Sequence, residues 1–483
     1  MALKVYNTLS RRKEDFIPLR DKLVNFYACG PTVYDYFHIG NARPLIMFDI
    51  FRRYMEYSGY RVNYIVNITD IDDKIINRAA LEGVDFKVIT RRYTEAFFEG
   101  CDKLGVRPAS VHPRATDNID SMLDIIRLLV ERGHAYEVDG DVYYDISSFP
   151  GYGKLSGRDI EKMQAGARVD VDERKKNPLD FALWKAAKPG EPSWESPWGA
   201  GRPGWHVECS VMSMRYAGDT LDIHAGGQDL IFPHHENEIA QSEGATGKPF
   251  ARYWLHNGFL DIEGEKMSKS LGNFLTVRDI LKLYDPIAIR VFFLLKHYRS
   301  PIDFSEERIR EAQSALERLR NAYRKITLVL SKTGLPVSPA ETPETLGTPR
   351  SEIEQNKQDI IKAMDDDFNT AKSMGHLFEI ARIVNSEPEE SPGAAEVMQA
   401  AKEVFDTIGN EIFGIEFETA APGESMVDDL MSLIIELRAQ ARRDRNWALS
   451  DRIRDSLKEI GITLEDRPDS TNWIKKSDKD PSF

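Results

Sequence analysis

The stretch from Cys29 to Asn41, CGPTVYDYFHIGN, decides the fold of the N-terminal part of this chain. It follows the apolar run Leu23–Ala28, which is typical of a buried parallel strand. It precedes residues 42–58, in which apolar side chains recur at helical spacing: Leu45, Ile46, Phe48, Phe51 and Met55. A strand, a tight Gly-Pro turn and a helix start point backbone N–H groups at a phosphate. Because open α/β sheets bind ligands at the carboxyl ends of their strands, we expect a site around Cys29.

The alternation of strands and helices continues downstream of this stretch. Residues 61–68 are predicted to form a second strand, followed by helices from about Asp73 and over residues 86–104. After an interruption, a strand at Leu221–His224, a helix over about Pro233–Glu243 and a strand at 253–260 restore the pattern. We therefore predict an α/β fold, with a doubly wound, parallel, Rossmann-like sheet in a catalytic domain built from two halves.

Changes in pattern divide the chain into seven segments. Between the two halves lies an insertion with a helix at 117–132, hairpin sequence at 135–144 and a Pro/Trp-rich stretch at 188–203. Helices are expected over most of 277–331, at 351–385, at 394–409 and from Met426 to about Arg443. The segments are the first catalytic half (1–114), the insertion (115–203), the second catalytic half (204–276), a helical region (277–331), a proline-containing linker (332–350), a helical bundle (351–425) and a small C-terminal domain (426–483).

Bulk composition limits the classes of protein that this chain can be. Its 483 residues are 41% hydrophobic and 29% charged, as expected for a globular protein of several domains. It has no run of about eighteen apolar residues, so we expect no membrane-spanning helix. The first sixteen residues lack the apolar core of a secretion signal. Three cysteines cannot pair off evenly, so we expect reduced thiols and a cytoplasmic protein.

The net charge of −14 restricts how the chain could bind a nucleic acid. An evenly basic surface is excluded, so an RNA partner requires a local positive face. The window Arg438–Lys458 holds seven basic and three acidic residues and is the candidate for such a face. A solvent-exposed amphipathic helix explains the same charges without a partner.

A second motif, Glu265–Ser270 (EKMSKS), lies far downstream of the opening stretch. The pair formed by HIG and KMSKS resembles the signature of class I aminoacyl-tRNA synthetases. Within that class the chain resembles the cysteinyl-tRNA synthetase family, through the opening stretch and further blocks in the family's order. These blocks are Asn67–Lys74, Pro203–Cys209, Gly226–Glu238, Met364–Thr370 and the C-terminal Arg442–Arg454.

Several of these residues are possible metal ligands. His234 and Glu238 are four apart on a predicted helix, so their side chains share a face. His235 and Glu238, three apart, are an equally acceptable pair, and His206 and His224 are nearby, so spacing alone leaves the set open. The resemblance implies one zinc ion per chain, held by Cys29, Cys209, His234 and Glu238. Cys101 lacks such neighbours and is interpreted as a structural thiol.

The resemblance also implies a reaction and its participants. The chain is expected to activate L-cysteine with ATP to cysteinyl-AMP, release pyrophosphate, and transfer cysteine to the 3′ end of tRNA(Cys). Mg²⁺ is expected to accompany ATP without a dedicated protein cage. The fourth letter of the family's HIGH motif is Asn41 here, and Asn can donate a hydrogen bond to a phosphate but carries no charge. The implied residues are His38, Lys266 and Lys269 for catalysis; His38, Gly40, Asn41, Ser268 and Lys269 for ATP; Gly30, Thr69, Trp205 and Asp229 for cysteine; and Arg443, Trp447 and Asp451 for tRNA.

Two other functions compete with this interpretation. One is an ATP-dependent ligase that passes the cysteinyl adenylate to a small amine, as in mycothiol synthesis. Relatives of that kind stop before an anticodon domain, so residues 426–483 disfavour it. The other is a noncatalytic zinc- and RNA-binding protein descended from a synthetase, which intact His38, Lys266 and Lys269 disfavour. We expect a monomer, because no strong heptad seam occurs.

Overall fold

The computed structural model describes residues 2–158, 174–262, 265–266, 275–333, 348–418, 423–459, 462–466 and 471–475. The chain divides into two compact units, Met1–Phe417 and Glu418–Phe483. No helix in the described ranges is both long and apolar enough to cross a membrane.

Strands and helices alternate along much of the described chain. The strands are β1 (Lys4–Asn7), β2 (Arg12–Asp15), β3 (Leu23–Ala28), β4 (Arg61–Val66), β5 (Ala135–Val138), β6 (Asp141–Tyr144), β7 (Phe181–Ala186), β8 (Gly201–Pro203), β9 (Leu221–Gly227), β10 (Ala251–Asn257), β11 (Leu260–Ile262), β12 (Glu265–Lys266), β13 (Ile302–Phe304), β14 (Ile462–Asp466) and β15 (Thr471–Lys475). The helices are α1 (Ile39–Tyr57), α2 (Asp73–Glu82), α3 (Phe86–Lys103), α4 (Ile119–Glu131), α5 (Trp205–Ala217), α6 (Glu236–Thr246), α7 (Val277–Ile280), α8 (Pro286–Leu294), α9 (Glu306–Thr333), α10 (Pro349–Asp365), α11 (Thr370–Ser386), α12 (Ala394–Val404), α13 (Gly423–Arg443) and α14 (Trp447–Glu459). Shorter helical turns occupy Ala115–Asn118, Ile146–Ser148, Gln228–Leu230, Ile231–His235 and Phe405–Ile412.

A four-stranded parallel sheet in the order β10-β9-β3-β4 is the centre of the larger unit. Alternate residues of β3 point to opposite faces, as in any strand. Phe26 joins the core that contains α1, whereas Tyr27 joins the core that contains α4 and α5. Because helices cover both faces, β3 is buried on both sides, which is why its sequence is apolar except for Asn25. The predicted doubly wound α/β fold is confirmed.

The insertion forms its own antiparallel sheet, β5-β6-β7-β8. The predicted hairpin at 135–144 is β5 and β6, joined by Asp139 and Gly140 with positive φ. The Pro/Trp-rich stretch leads into β8, which pairs with β7. Strand β7 and strand β8 carry no clear alternation and were not predicted.

Several predicted boundaries are wrong. Helix α1 begins at Ile39 and not at residue 42, because His38 is its N-cap residue. The strand predicted at 61–68 ends at Val66, and the one predicted at 253–260 is divided into β10 and β11. The regular helix predicted from Pro233 starts at Glu236, because Phe232 has an extended backbone.

Two predicted helical regions are interrupted by long-range contacts. Within 277–331, β13 pairs in parallel with β11. The helix predicted at 351–385 is two helices, α10 and α11, because Asp367 and Phe368 have positive φ between them. The Asp367 carboxylate is fully buried and accepts hydrogen bonds from the Tyr298 hydroxyl and the Arg299 guanidinium.

Backbone hydrogen bonds join the two signature regions. The N–H of Ile39 donates to the carbonyl of Leu275, and the N–H of Val277 donates to the carbonyl of Phe37. The chain that comes after KMSKS is therefore attached directly to the start of α1. We call these paired segments, 37–39 and 275–277, the motif clip.

The smaller unit contains the helices α13 and α14 and the antiparallel hairpin β14-β15. The helix predicted from Met426 starts earlier, at Gly423. Trp473 lies on β15, opposite Leu464.

Candidate active site and metal centre

A pocket of about 400 Å³ opens at the carboxyl edge of β3, where the sequence predicted a site. The predicted site residues that line it are Cys29, Gly30, His38, Gly40, Asn41, Trp205 and Asp229. They come from the β3–α1 loop, the start of α1, the start of α5 and the turn after β9. The fold thus brings together residues that are up to two hundred positions apart in the chain.

The four predicted zinc ligands meet next to this pocket, which Cys29 also lines. Cys29 follows β3, Cys209 lies in α5, His234 lies in the turn before α6, and Glu238 lies in α6. The two sulfur atoms are 3.9 Å apart, and Cys29 Sγ is 3.6 Å from Glu238 Oε1. His234 Nε2 is 3.1 Å from the same carboxylate oxygen. One donor atom of each residue lies within 4.8 Å of those of the other three.

These separations fit a tetrahedral metal ion. Zinc–sulfur and zinc–nitrogen bonds of ordinary length place neighbouring ligand atoms about 3.3–3.8 Å apart. Both cysteines are free, and the buried Glu238 Oε2 makes no hydrogen bond among the described residues, although His224 Nε2 lies 3.3 Å away. A buried carboxylate oxygen without a hydrogen bond is costly unless a cation satisfies it. The donor set is therefore suited to a metal ion.

The pKa values of the Cys29 and Cys209 thiols shift in opposite directions. The hydrogen bond with Cys29 lowers the pKa of Cys209 to about 6, whereas burial raises the pKa of Cys29 well above its ordinary value. Burial opposes charge on Glu238 as well, but His224 and His234 hold the pKa of that carboxyl well below its usual range. Burial also opposes charge on His234, yet Glu238 raises its pKa to about 10. The surroundings therefore favour negative charge on Cys209 and Glu238 but not on Cys29.

The structure also brings the alternative histidines into reach. Cys29, His224, His235 and Glu238 form a second set of donors within 4.8 Å of one another. His235 Nε2 is 3.3 Å from Cys29 Sγ but 4.0 Å from Glu238 Oε1. Its other nitrogen contacts His256, which in turn contacts the Thr8 hydroxyl, each at 2.8 Å. Two thiols make the first set the softer one, and zinc favours soft ligands.

Trp205 and His206 support the imidazole of His234. The rings of Trp205 and His234 are 4.3 Å apart, and His206 Nδ1 is 2.9 Å from His234 Nδ1. Contacts of this kind fix the orientation of a metal-binding histidine. Trp205 is 41% exposed, so one part of it supports the imidazole while another faces the pocket.

Gly30 and Thr69 occupy different positions relative to the pocket. A Cβ on Gly30 would lie 1.8 Å from the carbonyl oxygen of Asn67, so only glycine fits at the pocket wall. Thr69 is buried behind that wall, and its hydroxyl donates to Glu208 over 2.9 Å. Burial raises the pKa of Glu208 well above its usual range.

The ATP-binding residues predicted from the resemblance are described in part. His38, Gly40 and Asn41 lie at the start of α1, the end of a helix that attracts a phosphate. The backbone N–H groups of Ile39 and Asn41 already donate within the protein, to the carbonyls of Leu275 and His38. Asn41 also has a structural contact, because its Oδ1 accepts the backbone N–H of His38 over 3.4 Å. The glycines on either side of KMSKS, Gly264 and Gly272, predict a loop for Lys266. This prediction is wrong for Lys266, which lies in β12, paired with β11. Ser268 and Lys269 lie outside the described residues.

The residues predicted to contact tRNA lie in the smaller unit. Arg443 ends α13 and Trp447 begins α14, with Asp451 one turn further on. Trp447 is 57% exposed, so its ring is not part of a core. Asp451 pairs with Arg454 over 3.2 Å.

Sequence reasoning did not identify Glu208 or His256 as part of the site. Both are buried within a few contacts of the donor set, and burial of a polar side chain is not visible in a single sequence. The signal available for Glu208 was an ionisable residue between His206 and Cys209. His256 has the weaker signal of a histidine at the end of an apolar strand.

Comparison with known proteins first establishes the class. Residues 15–314 match the family described as tRNA synthetases class I (C) catalytic domain, and residues 359–418 match the DALR domain. Methionyl-tRNA synthetase of Mycobacterium tuberculosis in complex with methionyl-adenylate has a TM-score of 0.59 and 16% identity, covering 81% of this chain and 92% of that one. A putative arginyl-tRNA synthetase of Campylobacter jejuni has a TM-score of 0.59 and 14% identity, covering 82% and 93%. The fold is that of a class I aminoacyl-tRNA synthetase.

Sequence relatives then establish the family. The cysteine–tRNA ligase of Heliobacterium modesticaldum is 52% identical, covering 98% of this chain and all of the relative. The enzyme of the same name from Anoxybacillus flavithermus is 50% identical, covering 98% and 99%. The chain belongs to the cysteine–tRNA ligase family.

Proposed function

We propose that this chain attaches cysteine to tRNA(Cys), by way of cysteinyl-AMP formed from L-cysteine and ATP. The observation that carries the proposal is the set of four donors, Cys29, Cys209, His234 and Glu238, of which Cys29 lines a pocket bordered by the start of α1 and the other three are buried. The pocket has one end suited to sulfur and another suited to phosphate. These are the two groups that cysteine activation must hold together.

The donor set addresses the discrimination of cysteine from serine. A pocket that relies on packing gains only about 1–3 kcal/mol from a difference this small. Zinc at these ligands would take up the substrate's thiolate as a further soft ligand, which a serine hydroxyl cannot match. The protein's part is to orient His234 through Trp205 and His206 and to keep the ligand atoms dry. The exposed carboxylate of Asp229, on the same pocket, is placed to pair with the substrate's ammonium group.

The other end of the pocket handles the phosphates. Formation of the adenylate expels pyrophosphate, so positioning and charge neutralisation are the main tasks of the protein. We assign His38, Gly40 and Asn41 to the triphosphate, and Lys266 and Lys269 to the leaving group. The motif clip supports this assignment, because it ties the chain after KMSKS to the start of α1.

The proposal includes finer assignments of cofactor, state and location. We assign one Zn²⁺ per chain to the four donors, and Mg²⁺ to the bound ATP without protein ligands of its own. Arg443, Trp447 and Asp451 are assigned to tRNA, with Trp447 offering an exposed ring on which a base can stack. We further propose a monomer in the cytoplasm, where its three free thiols would stay reduced.

Exchange of radioactive pyrophosphate into ATP tests the first half of the reaction. Exchange that depends on cysteine, and is far weaker with serine at equal concentration, is the expected result. Exchange with neither amino acid would leave only a noncatalytic RNA-binding role and would refute the proposal.

The acceptor is tested with the same purified protein. We expect cysteine to become attached to tRNA(Cys) and not to a glucosamine-type amine. Acylation of the amine alone would favour the mycothiol-type ligase instead.

A further inference from the structure

A second cavity, of about 300 Å³, lies between β4, α3 and the loop that comes after α3. Its interior is formed by Leu45, Tyr64, Val66, Phe97, Cys101 and Val106. Tyr64, Val66, Phe97 and Cys101 are each less than one-tenth exposed. The cavity is therefore a deep apolar well, which is the usual form of a small-molecule site.

The well is separate from the active-site pocket. Leu45, Tyr64 and Phe97 border both, so they form a shared wall. None of the four metal donors borders the well, and neither do His38, Gly40 or Asn41. A ligand could therefore occupy the well while cysteine and ATP occupy the active site.

The polar side chains that line the inside of the well, those of Tyr64, Cys101 and His112, carry no charge. Burial raises the pKa of the Cys101 thiol well above its ordinary value, so the thiol stays protonated. His112 Nδ1 lies 2.9 Å from the carbonyl oxygen of Val66, and its Nε2 accepts the N–H of Ala109 over 3.2 Å. Both ring nitrogens are thus used within the protein, and burial lowers the pKa of His112. The interior would repel an ion and accept an apolar ring.

The rim, in contrast, carries an available negative charge. Asp102 is exposed at the mouth, and its carboxylate pairs with no cation in the described part of the chain. The neighbouring cation at the mouth, Arg107, is already 3.6 Å from Glu56. Lys103 likewise pairs with Glu99 over 2.6 Å. A ligand with its ring in the well and an ammonium group at the mouth would meet Asp102.

We propose that this well is a second ligand site, for an aromatic amine of about two fused rings. The size follows from volume, since an apolar cavity of about 150 Å³ holds one benzene ring and this one is about 300 Å³. The charge follows from the rim. The ligand would press on the shared wall from the side opposite to cysteine and ATP.

Binding of tryptamine and of indole to the full-length protein tests the proposal. The active site is first saturated with a non-hydrolysable cysteinyl-adenylate analogue, so that only the well is free. We expect saturable binding of both, with tryptamine about two- to fivefold tighter, which is the value of one exposed ion pair. No saturable binding at millimolar concentration would overturn the proposal.

Two variants test separately the contribution of the apolar well, which would hold the ligand's ring, and that of the Asp102 charge. Asp102→Asn should reduce the affinity for tryptamine to that for indole, and an unchanged ratio would refute the role of Asp102. Val106→Trp fills the well and should abolish binding of both ligands, and a folded variant that binds like wild type would refute the site. Neither residue borders the active-site pocket, so cysteine-dependent exchange reports whether each variant is folded.

If Val106→Trp does not fold, a crystal of the unmodified protein soaked in 5-bromotryptamine tests the site instead. The bromine of 5-bromotryptamine should give an anomalous peak within the well, beside Phe97 and Val106. A peak only in the active site or on the surface would contradict the proposal.

Discussion

Cys29 and Cys209 are close enough to share a metal ion, and they belong to different elements of the fold. Their sulfur atoms are 3.9 Å apart, well beyond a disulfide bond. His234, in the helical turn Ile231–His235, and Glu238, in the helix α6 that comes after it, complete the group. At the scale of single residues, the proposed selection of cysteine depends on these four side chains and on the space around them.

Substitution of Gly30 tests how closely the backbone packs beside the pocket. Gly30→Ala would place a methyl group 1.8 Å from the Asn67 carbonyl, so the β3–α1 loop must move. We expect the free energy of unfolding to fall by about 1–3 kcal/mol and the KM for cysteine to rise, as measured by urea denaturation and by exchange kinetics.

Gly375→Ala is the matched control. Gly375 is in the middle of α11, and a Cβ there meets no atom within 4 Å. It should be stabilising by about 0.5–1 kcal/mol, with unchanged kinetics. Equal effects of the two substitutions would contradict the assignment of Gly30 to the pocket wall.

Asn41 has two roles to separate. It borders the pocket, and it also accepts the His38 N–H at the start of α1. Asn41→Ala should reduce the free energy of unfolding by about 0.5–1 kcal/mol and raise the KM for ATP, leaving the KM for cysteine unchanged. Asn41→Asp keeps the acceptor but brings a negative charge toward the phosphates, so it should restore stability and not ATP binding. Restored ATP binding in that variant would contradict the assignment.

At the scale of elements, the site depends on how α1 is held. Its N-terminus faces the pocket, and the motif clip attaches residues 37–39 to residues 275–277. The clip connects two motifs that are more than two hundred residues apart in sequence. A change in the clip should therefore act on ATP use before it acts on cysteine binding.

Val277→Pro removes one hydrogen bond of the clip and little else of the backbone. Val277 is the first residue of α7, where proline fits, and Thr276 before it is already extended. We expect kcat/KM for ATP in exchange to fall about three- to tenfold below that of Val277→Ala, which loses the same side chain but keeps the N–H. Equal values for the two variants would show that the clip does not position the ATP site.

Elements with a strong local pattern were predictable from sequence, and those that depend on distant contacts were not. Strand β3 and helix α1 have the apolar runs and spacing that define them. Strand β13 is only three residues long and exists through its pairing with β11. The break at Asp367 depends on Tyr298 and Arg299, which no local pattern connects to it.

The candidate metal donors were likewise predictable from sequence only in part. The spacing of His234 and Glu238 indicated a shared face, and their side chains do meet. Spacing could not separate His234 from His235, because both lie within helical reach of Glu238. In the structure both are near Cys29 and Glu238, so the choice rests on the second thiol and on the longer His235–Glu238 distance.

At the scale of the whole molecule, the candidate active site and the proposed RNA contacts belong to different units of the chain. All the donors, the pocket and the motif clip belong to the unit Met1–Phe417, whereas Arg443, Trp447 and Asp451 belong to Glu418–Phe483. The net charge of −14 means that tRNA must be held by local positive faces. The window around α14 is the face that we propose.

Removal of the smaller unit should affect the transfer of cysteine to tRNA but not the activation of cysteine with ATP. A chain of residues 1–417 should keep cysteine-dependent exchange and lose charging of tRNA by about tenfold or more, since base stacking alone is worth about 1–3 kcal/mol per base. Trp447→Ala in the full-length chain should raise the KM for tRNA with exchange unchanged. Full charging activity in the truncated chain would place tRNA recognition elsewhere.

Bound metal and amino acid preference, measured together on one preparation, test the role of the four donors most directly. We expect one zinc ion per chain, loss of cysteine-dependent exchange when a chelator removes it, and recovery when zinc alone is returned. Cys209→Ser should neither retain zinc nor recover. A metal-free protein that still prefers cysteine to serine by the ratio of the untreated protein would contradict this role.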